Sequence, residues 1–477
     1  MKTQRLRFLN AQCALLALTA WLNFQGLSQT PGELDLTFKP DLTDADGLNA
    51  SLINAIALQA DGKILIGGSL RNKDGSLRQS LERLNRDGSV DSSFHPNPWP
   101  TQVQAVLVQA DGRILVGGYT SSPTNAPRAI VRLNPDGTLD ESFQAGAGPD
   151  SLVLSLAEQP DGKILVGGGF RSVAGVPRNA LARLEPGGAL DTGFSGLEST
   201  NALVKAMALQ SDGKILLSGF FPTSPHTDEA LVRVNADGTV DPSFQLLSLW
   251  TYVDDLTCLA VQSDNKIMAG FLGMDLNSFN GLLRLNRDGS LDPSFTPIRV
   301  PVPVAVGPYI FGMPFVNAVV VQKDGKLLVG GGFTSVNGLR HRGVVRANPD
   351  GTLDESFTTG SGPGGLVNPF SNPFVTVLQL QADGQLLVGG QFTTFNGKPP
   401  GSLVRLAAEA PLHFGGPQLA SGLFQASVYN LLGRRVRIES STDGQTWKET
   451  VTSTNDVFAV TSNPRGSKCL FYRAVAP

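Results

Sequence analysis

The sequence predicts an all-β fold, namely a seven-bladed β-propeller closed by its N-terminal strand and followed by a small β-sandwich domain. Three observations lead to this prediction: one motif occurs seven times, a second occurs six times, and a further copy of the second lies near the N-terminus. The first motif is Gln-x-Asp-Gly-Lys-Ile, in which Asn265 replaces the glycine, Arg113 and Gln385 replace the lysine, and Leu327 and Leu386 replace the isoleucine. Its copies begin at Gln59, Gln109, Gln159, Gln210, Gln262, Gln322 and Gln381.

The second motif, Gly-x-Leu/Val-Asp-x-x-Phe, predicts how the array closes. Its six copies end at Phe94, Phe143, Phe194, Phe244, Phe295 and Phe357. After the seventh first motif the chain instead runs through Arg405–Ala408, and the missing copy stands near the front as Gly32–Phe38. In a ring, this segment completes the last unit and removes an open sheet edge. A β-solenoid, the competing architecture, leaves Gly32–Phe38 without a partner.

Length and composition fit a modular all-β protein. The 477 residues exceed what one ordinary core holds, and a repeat of about 50 residues is typical of propeller blades. The 54 glycines suit a chain with many tight turns. Charged residues make up 17% of the chain, the formal net charge is −3, and no basic stripe is present. We therefore expect neither nucleic acid nor an anionic membrane as a partner.

Residues 1–28 have the pattern of a secretory signal peptide. Lys2, Arg5 and Arg7 form its positive end, and Cys13–Leu22 is the apolar stretch that follows. A membrane anchor is the alternative, but the apolar run is shorter than the about 20 residues that a spanning helix needs. We expect a secreted or cell-envelope protein with no transmembrane segment in the mature chain.

Each unit is expected to contain four antiparallel strands, and seven such units fill residues 29–410. In the first unit the expected strands are Leu52–Leu58, Lys63–Gly68, Leu81–Asn85 and Ser89–Phe94. The Asp61-Gly62 and Asp87-Gly88 pairs make the hairpin turns, since glycine supplies the positive φ that a tight reversal needs. Turn chemistry is thus sufficient to explain these aspartates without a bound calcium ion.

All seven units resemble the delta-60 repeat of bacterial exported proteins. The resemblance covers the repeated part of the chain and implies a β-propeller-like fold, but it assigns no activity and no cofactor. Kelch and WD-repeat propellers are similar only in how they close, because neither signature occurs in this sequence.

One charged pair recurs through the units. The third strands carry Arg83, Arg132, Arg183, Arg233, Arg284, Arg346 and Arg405. An aspartate follows eight residues later in the first six units, at Asp91, Asp140, Asp191, Asp241, Asp292 and Asp354. The turn between them places each arginine opposite its aspartate. We interpret these as structural ion pairs rather than a ring of ligand-binding charges, and we expect Asp35 to face Arg405 as the seventh.

The repeat vocabulary stops at Ala410-Pro411, so residues 411–477 are predicted to form a separate small β-sandwich. Alternating runs predict its strands at Phe424–Val428, Arg435–Glu439, Trp447–Thr452, Val457–Val460 and Leu470–Val475. The module resembles the compact C-terminal module of many exported bacterial proteins. Its Ser440–Trp447 segment resembles a sialidase Asp-box with the aspartate one place out of register, and a hairpin with a buried Trp447 explains it better.

Catalytic motifs are missing from the sequence. The four histidines, which form no metal-spaced pair, are His95, His226, His341 and His413. There is no nucleophile elbow, CxxC, HExxH or phosphate loop. We therefore predict no catalytic residue, metal or cofactor, and expect an exported binding or adhesion scaffold that engages a glycan, a surface polymer or a protein. The alternative is a secreted polysaccharide hydrolase or lyase with carboxylates at the propeller mouth.

Long connections predict where a ligand binds. The spacing between the second and the next first motif is 27 residues from Phe295 to Gln322, 24 from Phe357 to Gln381, and 21 from Phe38 to Gln59. On a ring these connections are neighbours, and exposed aromatics beside carboxylates suit sugars or a partner protein. The predicted ligand-binding residues are Tyr309, Phe311, Phe315, Phe370, Phe374, Asp41, Asp44 and Asp46. The alternative is that these insertions only cover the seam, and calcium binding near Asp44 stays open.

Overall fold

The computed structural model contains only β-strands, turns and irregular segments in the residues it describes. These residues are 4–9, 30–40, 42, 50–71, 76, 80–96, 102–119, 129–224, 227–244, 255–272, 280–301, 304–306, 309–311, 315–365, 372–399, 401–408, 413–414, 418–420, 423–429, 436–441, 448–453, 457–462 and 469–475. They fall into a repeat unit, Leu34–Ala382 with Leu386–Leu406, and a terminal unit, Met1–Glu33 with Asp383–Gln385 and Ala407–Pro477.

Each of the seven repeats contains three antiparallel strands in the order first, second, third. The first strands are Leu52–Leu58, Gln102–Val108, Val153–Glu158, Leu203–Leu209, Asp255–Val261, Val316–Val321 and Phe374–Leu380. The second strands are Ile64–Ser69, Ile114–Tyr119, Ile164–Gly168, Ile215–Ser224, Ile267–Leu272, Leu327–Gly331 and Gln385–Gln391. The third strands are Leu81–Leu84, Ile130–Leu133, Leu181–Leu184, Thr227–Val234, Gly281–Leu285, Val344–Ala347 and Leu403–Ala407.

The prediction of a fourth strand in each repeat is wrong, because the segment forms a single bridge and then a turn. In repeat 1 only Val90 pairs, through one bridge to Leu84, and the chain then turns because Phe94 N donates to Asp91 O. The Asp91 carboxylate accepts from Ser93 N and Ser93 Oγ, which stabilises this turn. The same single bridge occurs at Leu133–Leu139, Leu184–Leu190, Val234–Val240, Leu285–Leu291 and Ala347–Leu353. Repeat 5 adds a short strand, Ile298–Arg299, beside its third strand.

Two glycines at the end of the second strand of repeat 1, Gly67 and Gly68, leave room for close neighbours. A Cβ on Gly67 would lie 2.3 Å from Val103 Cγ1 of repeat 2, and a Cβ on Gly68 would lie 2.0 Å from the Leu52 carbonyl oxygen. A side chain at either position would thus collide with its neighbours, and glycine permits their close approach. Between neighbouring sheets lie apolar side chains such as Leu165 of repeat 3 and Ile215 of repeat 4, both fully buried.

The first strands contact one another in sequence order, and the first strand of repeat 7 contacts that of repeat 1. Leu387 and Leu403 of repeat 7 share an apolar cluster with Ile53 of repeat 1. The N-terminal copy of the second motif lies where it was expected. Leu34 bridges Leu406 in antiparallel orientation, and Asp35 Oδ2 lies 2.8 Å from Arg405 Nη2. The predicted Asp35–Arg405 pair is confirmed.

Small two-stranded elements occupy the connections of the repeat unit. They are Ser172–Val173 with Val176–Pro177, Val304–Val306 with Tyr309–Phe311, Ser335–Val336 with Leu339–Arg340, and Pro363–Gly364 with Thr394–Phe395. Because the three main strands of each repeat are antiparallel, the connection after the second strand emerges on the face where the first strand begins and the inter-repeat connection ends.

The terminal unit contains two antiparallel sheets. One is Gln4–Leu9, Cys469–Val475, Val436–Ser441 and Lys448–Ser453, and the other is His413–Phe414, Leu423–Tyr429, Gln418–Ala420 and Val457–Ser462. Six residues of the predicted signal peptide thus pair with the C-terminal strand. Trp447 lies outside the described residues. No helix within the described ranges is long and apolar enough to cross a membrane.

Candidate functional site

The recurring arginine and aspartate form part of a larger charged cluster, which we call the clasp. In repeat 1, Arg83 Nε and Lys63 Nζ each lie 2.7 Å from Asp91 Oδ2, and the guanidinium carbon lies 4.5 Å from the centre of the Phe94 ring. Arg83 and Asp91 are both buried. The equivalent Arg–Asp pairs of repeats 2 to 6 are 2.6 to 2.8 Å apart. The cation–ring stacking recurs in all seven repeats.

Clasp arginines also join each repeat to the next. Arg83 Nη1 of repeat 1 donates to the carbonyl oxygen of Pro135, in the turn after the third strand of repeat 2. The same bond joins Arg132 to Pro186, Arg183 to Ala236, Arg233 to Arg287, Arg284 to Pro349, and Arg405 to Arg86. These contacts favour the structural interpretation of the pairs, because the guanidinium donors are directed into the framework.

The charges of the clasp stabilise its aspartates in the ionised form. Burial opposes ionisation of Asp191, but hydrogen bonds from Lys163 and Arg183 outweigh it and lower the pKa of this carboxyl to about 2. In repeat 4, the corresponding bonds from Lys214, Ser243 and Arg233 overcome the burial of Asp241 and lower its pKa. A permanently ionised, buried carboxylate of this kind suits a structural role rather than proton transfer.

Hairpins with Asn-Gly turns lie in connections after the second strand, where the sequence predicted no strands. Asn337-Gly338 of repeat 6 has φ of 50° and 81°, and Asn396-Gly397 of repeat 7 has φ of 53° and 70°. Two consecutive positive φ values define the tight hairpin turn that Asn-Gly favours. Repeat 3 makes the same turn with Ala174-Gly175, at 50° and 80°. The Asn-Gly dipeptide was the signal that could have located these hairpins.

The two asparagines attach their hairpins to inter-repeat connections. Arg299 N donates to Asn337 Oδ1, and Asn337 N donates to Arg299 O, each over 2.8 Å. Likewise, Gly362 N donates to Asn396 Oδ1, and Asn396 N donates to Gly362 O, each over 2.9 Å. We call the resulting continuous surface, formed by 298–299, 335–342, 362–364 and 394–398, the rim.

The rim presents several cationic side chains. Arg299, Arg340 and Lys398 are exposed, and Arg342 is half-buried. Arg340, Arg342 and Lys398 make no ion pair with a carboxylate among the residues that the structure describes. Burial lowers the pKa of His341, so this imidazole is neutral at neutral pH. The rim therefore carries four fixed positive charges.

Only part of the predicted ligand site can be located. Phe315 and Phe374 lie together, edge to face, with their ring centres 5.6 Å apart and both half-buried. The backbone of Tyr309–Phe311 pairs with Val304–Val306, in the same connection that begins at Arg299. Four predicted residues lie outside the described ranges, namely Asp41, Asp44, Asp46 and Phe370. Within those ranges, no group of three or more His, Cys, Asp or Glu side chains could hold a metal ion.

A cavity of about 250 Å³ lies between repeats 3 and 4, and the sequence did not indicate it. Arg171, Asn179 and Asn201 supply its polar lining, beside Gly169 and Leu203. Arg171 Nη2 donates to Asn201 Oδ1 over 2.6 Å, and Asn179 Nδ2 donates to Leu197 O over 3.3 Å. Both bonds link repeat 3 to the segment that leads into repeat 4 and so stabilise the junction of the two repeats.

Seven repeats of this construction define a β-propeller repeat protein. The chain belongs to the family described as "Domain of unknown function (DUF5122) beta-propeller", whose model matches just over half of it. The matched residues are 59–94, 109–143, 159–194, 210–244, 262–295, 322–357 and 381–409. The comparison with curated proteins found no match.

Solved structures of distant sequence are also similar. The extracellular domain of BT4673 from B. thetaiotaomicron, described as a one-component system, has 10% identity and a TM-score of 0.47, over 91% of this chain and 54% of that one. This chain thus spans about half the length of that ectodomain. A PL25 ulvan lyase has 10% identity and a TM-score of 0.39, over 77% of this chain and 96% of the lyase. A glucose dehydrogenase has 13% identity and a TM-score of 0.33, over 77% of this chain and 99% of the dehydrogenase.

Proposed function

We propose that the seven repeats close into a seven-bladed ring, with residues 34–38 completing repeat 7. The support comes from bonds that join repeat 7 to repeat 1. Thr376 Oγ1 donates to Ile53 O, Ser402 Oγ donates to Ser51 O over 2.8 Å, and Arg405 Nη1 donates to Arg86 O over 2.6 Å. The equivalent bond joins repeats 5 and 6, where the hydroxyl of Thr257 donates to Val316 O.

On this ring we propose an exported, non-catalytic binding scaffold that engages a glycan or another surface polymer. The rim is the observation that carries this proposal. The recurring charges of the repeats are bonded to one another and to neighbouring repeats in the clasps. The rim, in contrast, combines connections of repeats 5, 6 and 7 into one surface of exposed polar and charged groups. Export follows from the signal peptide proposed for residues 1–28, and the small β-sandwich proposed for residues 411–477 follows the ring.

We place the ligand contact on the connections that also carry the predicted aromatic residues. Tyr309 and Phe311 are in the insertion that begins at Arg299, and Phe370 is in the insertion that follows Pro363. An aromatic ring beside hydrogen-bonding and charged groups is a common arrangement for stacking on sugars. The carboxylates Asp41, Asp44 and Asp46 belong to the adjoining connection before repeat 1.

A glycan array, with a polysaccharide-degradation screen run in parallel, tests this function. We expect binding to at least one polymer without product formation. A variant with Tyr309→Ala, Phe311→Ala and Phe370→Ala should lose the binding while its melting temperature is retained. The matched control is Tyr119→Ala with Phe220→Ala, since these exposed aromatic side chains lie in repeats 2 and 4, away from the rim. Turnover of any polymer, or full binding by the triple variant, contradicts the proposal.

A further inference from the structure

Acidic side chains are missing from every segment that forms the rim. Between Thr296 and Leu406, the connections on that face and the strands that adjoin them cover 296–321, 332–346, 358–380 and 390–406, and none of these ranges contains Asp or Glu. The connections on either side differ sharply. In the sequence, Asp254 and Asp255 stand at the start of repeat 5, Asp275 follows its second strand, and Asp41, Asp44 and Asp46 precede repeat 1. The rim therefore lies in a part of the chain whose connections carry cationic but no acidic residues, although the whole chain has a formal charge of only −3.

The cations of the rim are held at defined positions. Arg340 is the last residue of a small hairpin, in which it pairs with Ser335. Asn337, in the turn of the same hairpin, attaches it to Arg299. Arg342 packs against Gly362, where an added Cβ would lie 2.5 Å from Arg342 O. Lys398 exchanges two main-chain hydrogen bonds with Phe395, of 2.9 and 3.0 Å. These attachments fix the backbone of the rim, while the cationic side chains extend from it.

We propose that the rim binds an anionic polysaccharide, with Arg299, Arg340, Arg342 and Lys398 contacting its carboxylate or sulfate groups. This inference rests on the proposed binding function and specifies its ligand class. Arginine recognises such groups well, because its planar fork can donate two parallel hydrogen bonds to one oxyanion. Opposite charge also increases the rate of encounter and orients the polymer along the rim.

The number of cations on the rim favours a sparsely charged polymer over a nucleic acid. Double-stranded DNA carries one charge per about 1.7 Å of its axis. The rim offers only four cationic side chains, so a duplex that lay along it would leave most of its phosphates without a cation. A polysaccharide has fewer charges per length and has hydroxyl groups that polar neighbours of the rim can bind. Thr334 and Ser361 are exposed polar side chains of this kind.

Calorimetric titration with defined polymers tests the inference. The probes are polygalacturonate, chondroitin sulfate, neutral dextran and duplex DNA, each at low and at physiological salt. We expect the two anionic polysaccharides to bind, with an affinity that falls as salt rises because exposed charges are screened. The variant Arg340→Gln, Arg342→Gln and Lys398→Gln should weaken this binding about tenfold or more at low salt.

The control variant removes the same charge from the opposite face. It carries Arg86→Gln, Arg287→Gln and Lys323→Gln, which lie in turns after the first or third strands. This variant should bind the anionic polysaccharides as the natural chain does. Equal weakening in both variants, or DNA binding as tight as that of the polysaccharides, overturns the inference. Binding of dextran that the rim variant leaves unchanged overturns the inference but retains the scaffold function. Failure to bind any polymer on the array overturns the scaffold function itself.

Discussion

At the scale of single residues, the clasp arginine uses nearly all of its donors. Arg233 Nε contacts Asp241 over 2.7 Å, Nη1 donates to the carbonyl oxygen of Arg287, and the guanidinium carbon lies 4.6 Å from the centre of the Phe244 ring. Lysine provides one compact ammonium group and cannot reproduce this fork or its stacking. The arginine is therefore specified by geometry rather than by charge alone.

Replacing this arginine should be far more costly than replacing an exposed one. Arg233→Met leaves Asp241 buried with Lys214 as its remaining cation, so we expect unfolding free energy to fall by about 3 kcal/mol. The control is Arg287→Gln, because the Arg287–Asp212 pair is largely exposed on the arginine side and such pairs contribute about 0–1 kcal/mol. Urea unfolding of both variants measures the difference. Equal losses contradict the structural role of the clasp.

The depressed pKa of Asp191 predicts a specific pH dependence. Its pKa of about 2 in the folded protein lies below the ordinary value, so the ionised form stabilises the fold. That stabilisation is fully present above about pH 4 and is lost as the pH falls toward 2. Melting temperatures of the natural chain and of Asp191→Asn should therefore differ by a constant amount from pH 7 to about 5 and converge below about 4. A difference that persists unchanged at pH 2 contradicts this assignment.

At the scale of elements, the sequence predicted what repeats and missed what differs between repeats. The motif spacing located the first three strands and the Asp35–Arg405 pair, because each depends on residue types at fixed separation. It overpredicted the fourth strand, since the Asp91–Ser93 hydrogen bonds favour a turn after a single bridge. It missed the rim because Arg299 and Lys398 lie about 40 and 56 residues away from the Arg340-Arg342 pair along the chain. Only the fold brings them together.

The Asn-Gly hairpins predict a reciprocal pair of substitutions. Asn337→Ala removes the bond to Arg299 N and puts alanine at a positive φ, so we expect stability to fall by about 1–2 kcal/mol. Ala174 has the same φ of 50° in repeat 3. Ala174→Asn should thus raise stability by a few tenths of a kcal/mol, because asparagine tolerates that region better. Chemical denaturation measures the change in unfolding free energy of each variant. Changes of the same sign in the two variants contradict the explanation.

At the scale of the whole molecule, the proposed closure depends on one short segment near the N-terminus. Asp35 and Phe38 supply repeat 7 with the aspartate and the ring that other repeats obtain from their own second motif. Arg405, which they contact, also donates to Arg86 of repeat 1. The segment thus stabilises both the last repeat and its junction with the first, and removing it should expose sheet edges on both sides of the seam.

Truncation tests this closure with a matched pair of chains. A chain of residues 39–477 lacks the segment, whereas a chain of residues 30–477 keeps it, and both lack Gln4–Leu9. We expect the longer chain to melt cooperatively and the shorter one to melt at a lower temperature over a broader range, with aggregation, because the junction loses the Asp35–Arg405 pair and the buried Phe38. A synthetic peptide of residues 30–40 added to the shorter chain should restore the cooperative melt. The same peptide with Asp35→Asn and Phe38→Ala should not, since it lacks both groups that contact Arg405. Identical melting of the two chains, or equal rescue by the two peptides, means that the array does not depend on this segment to close.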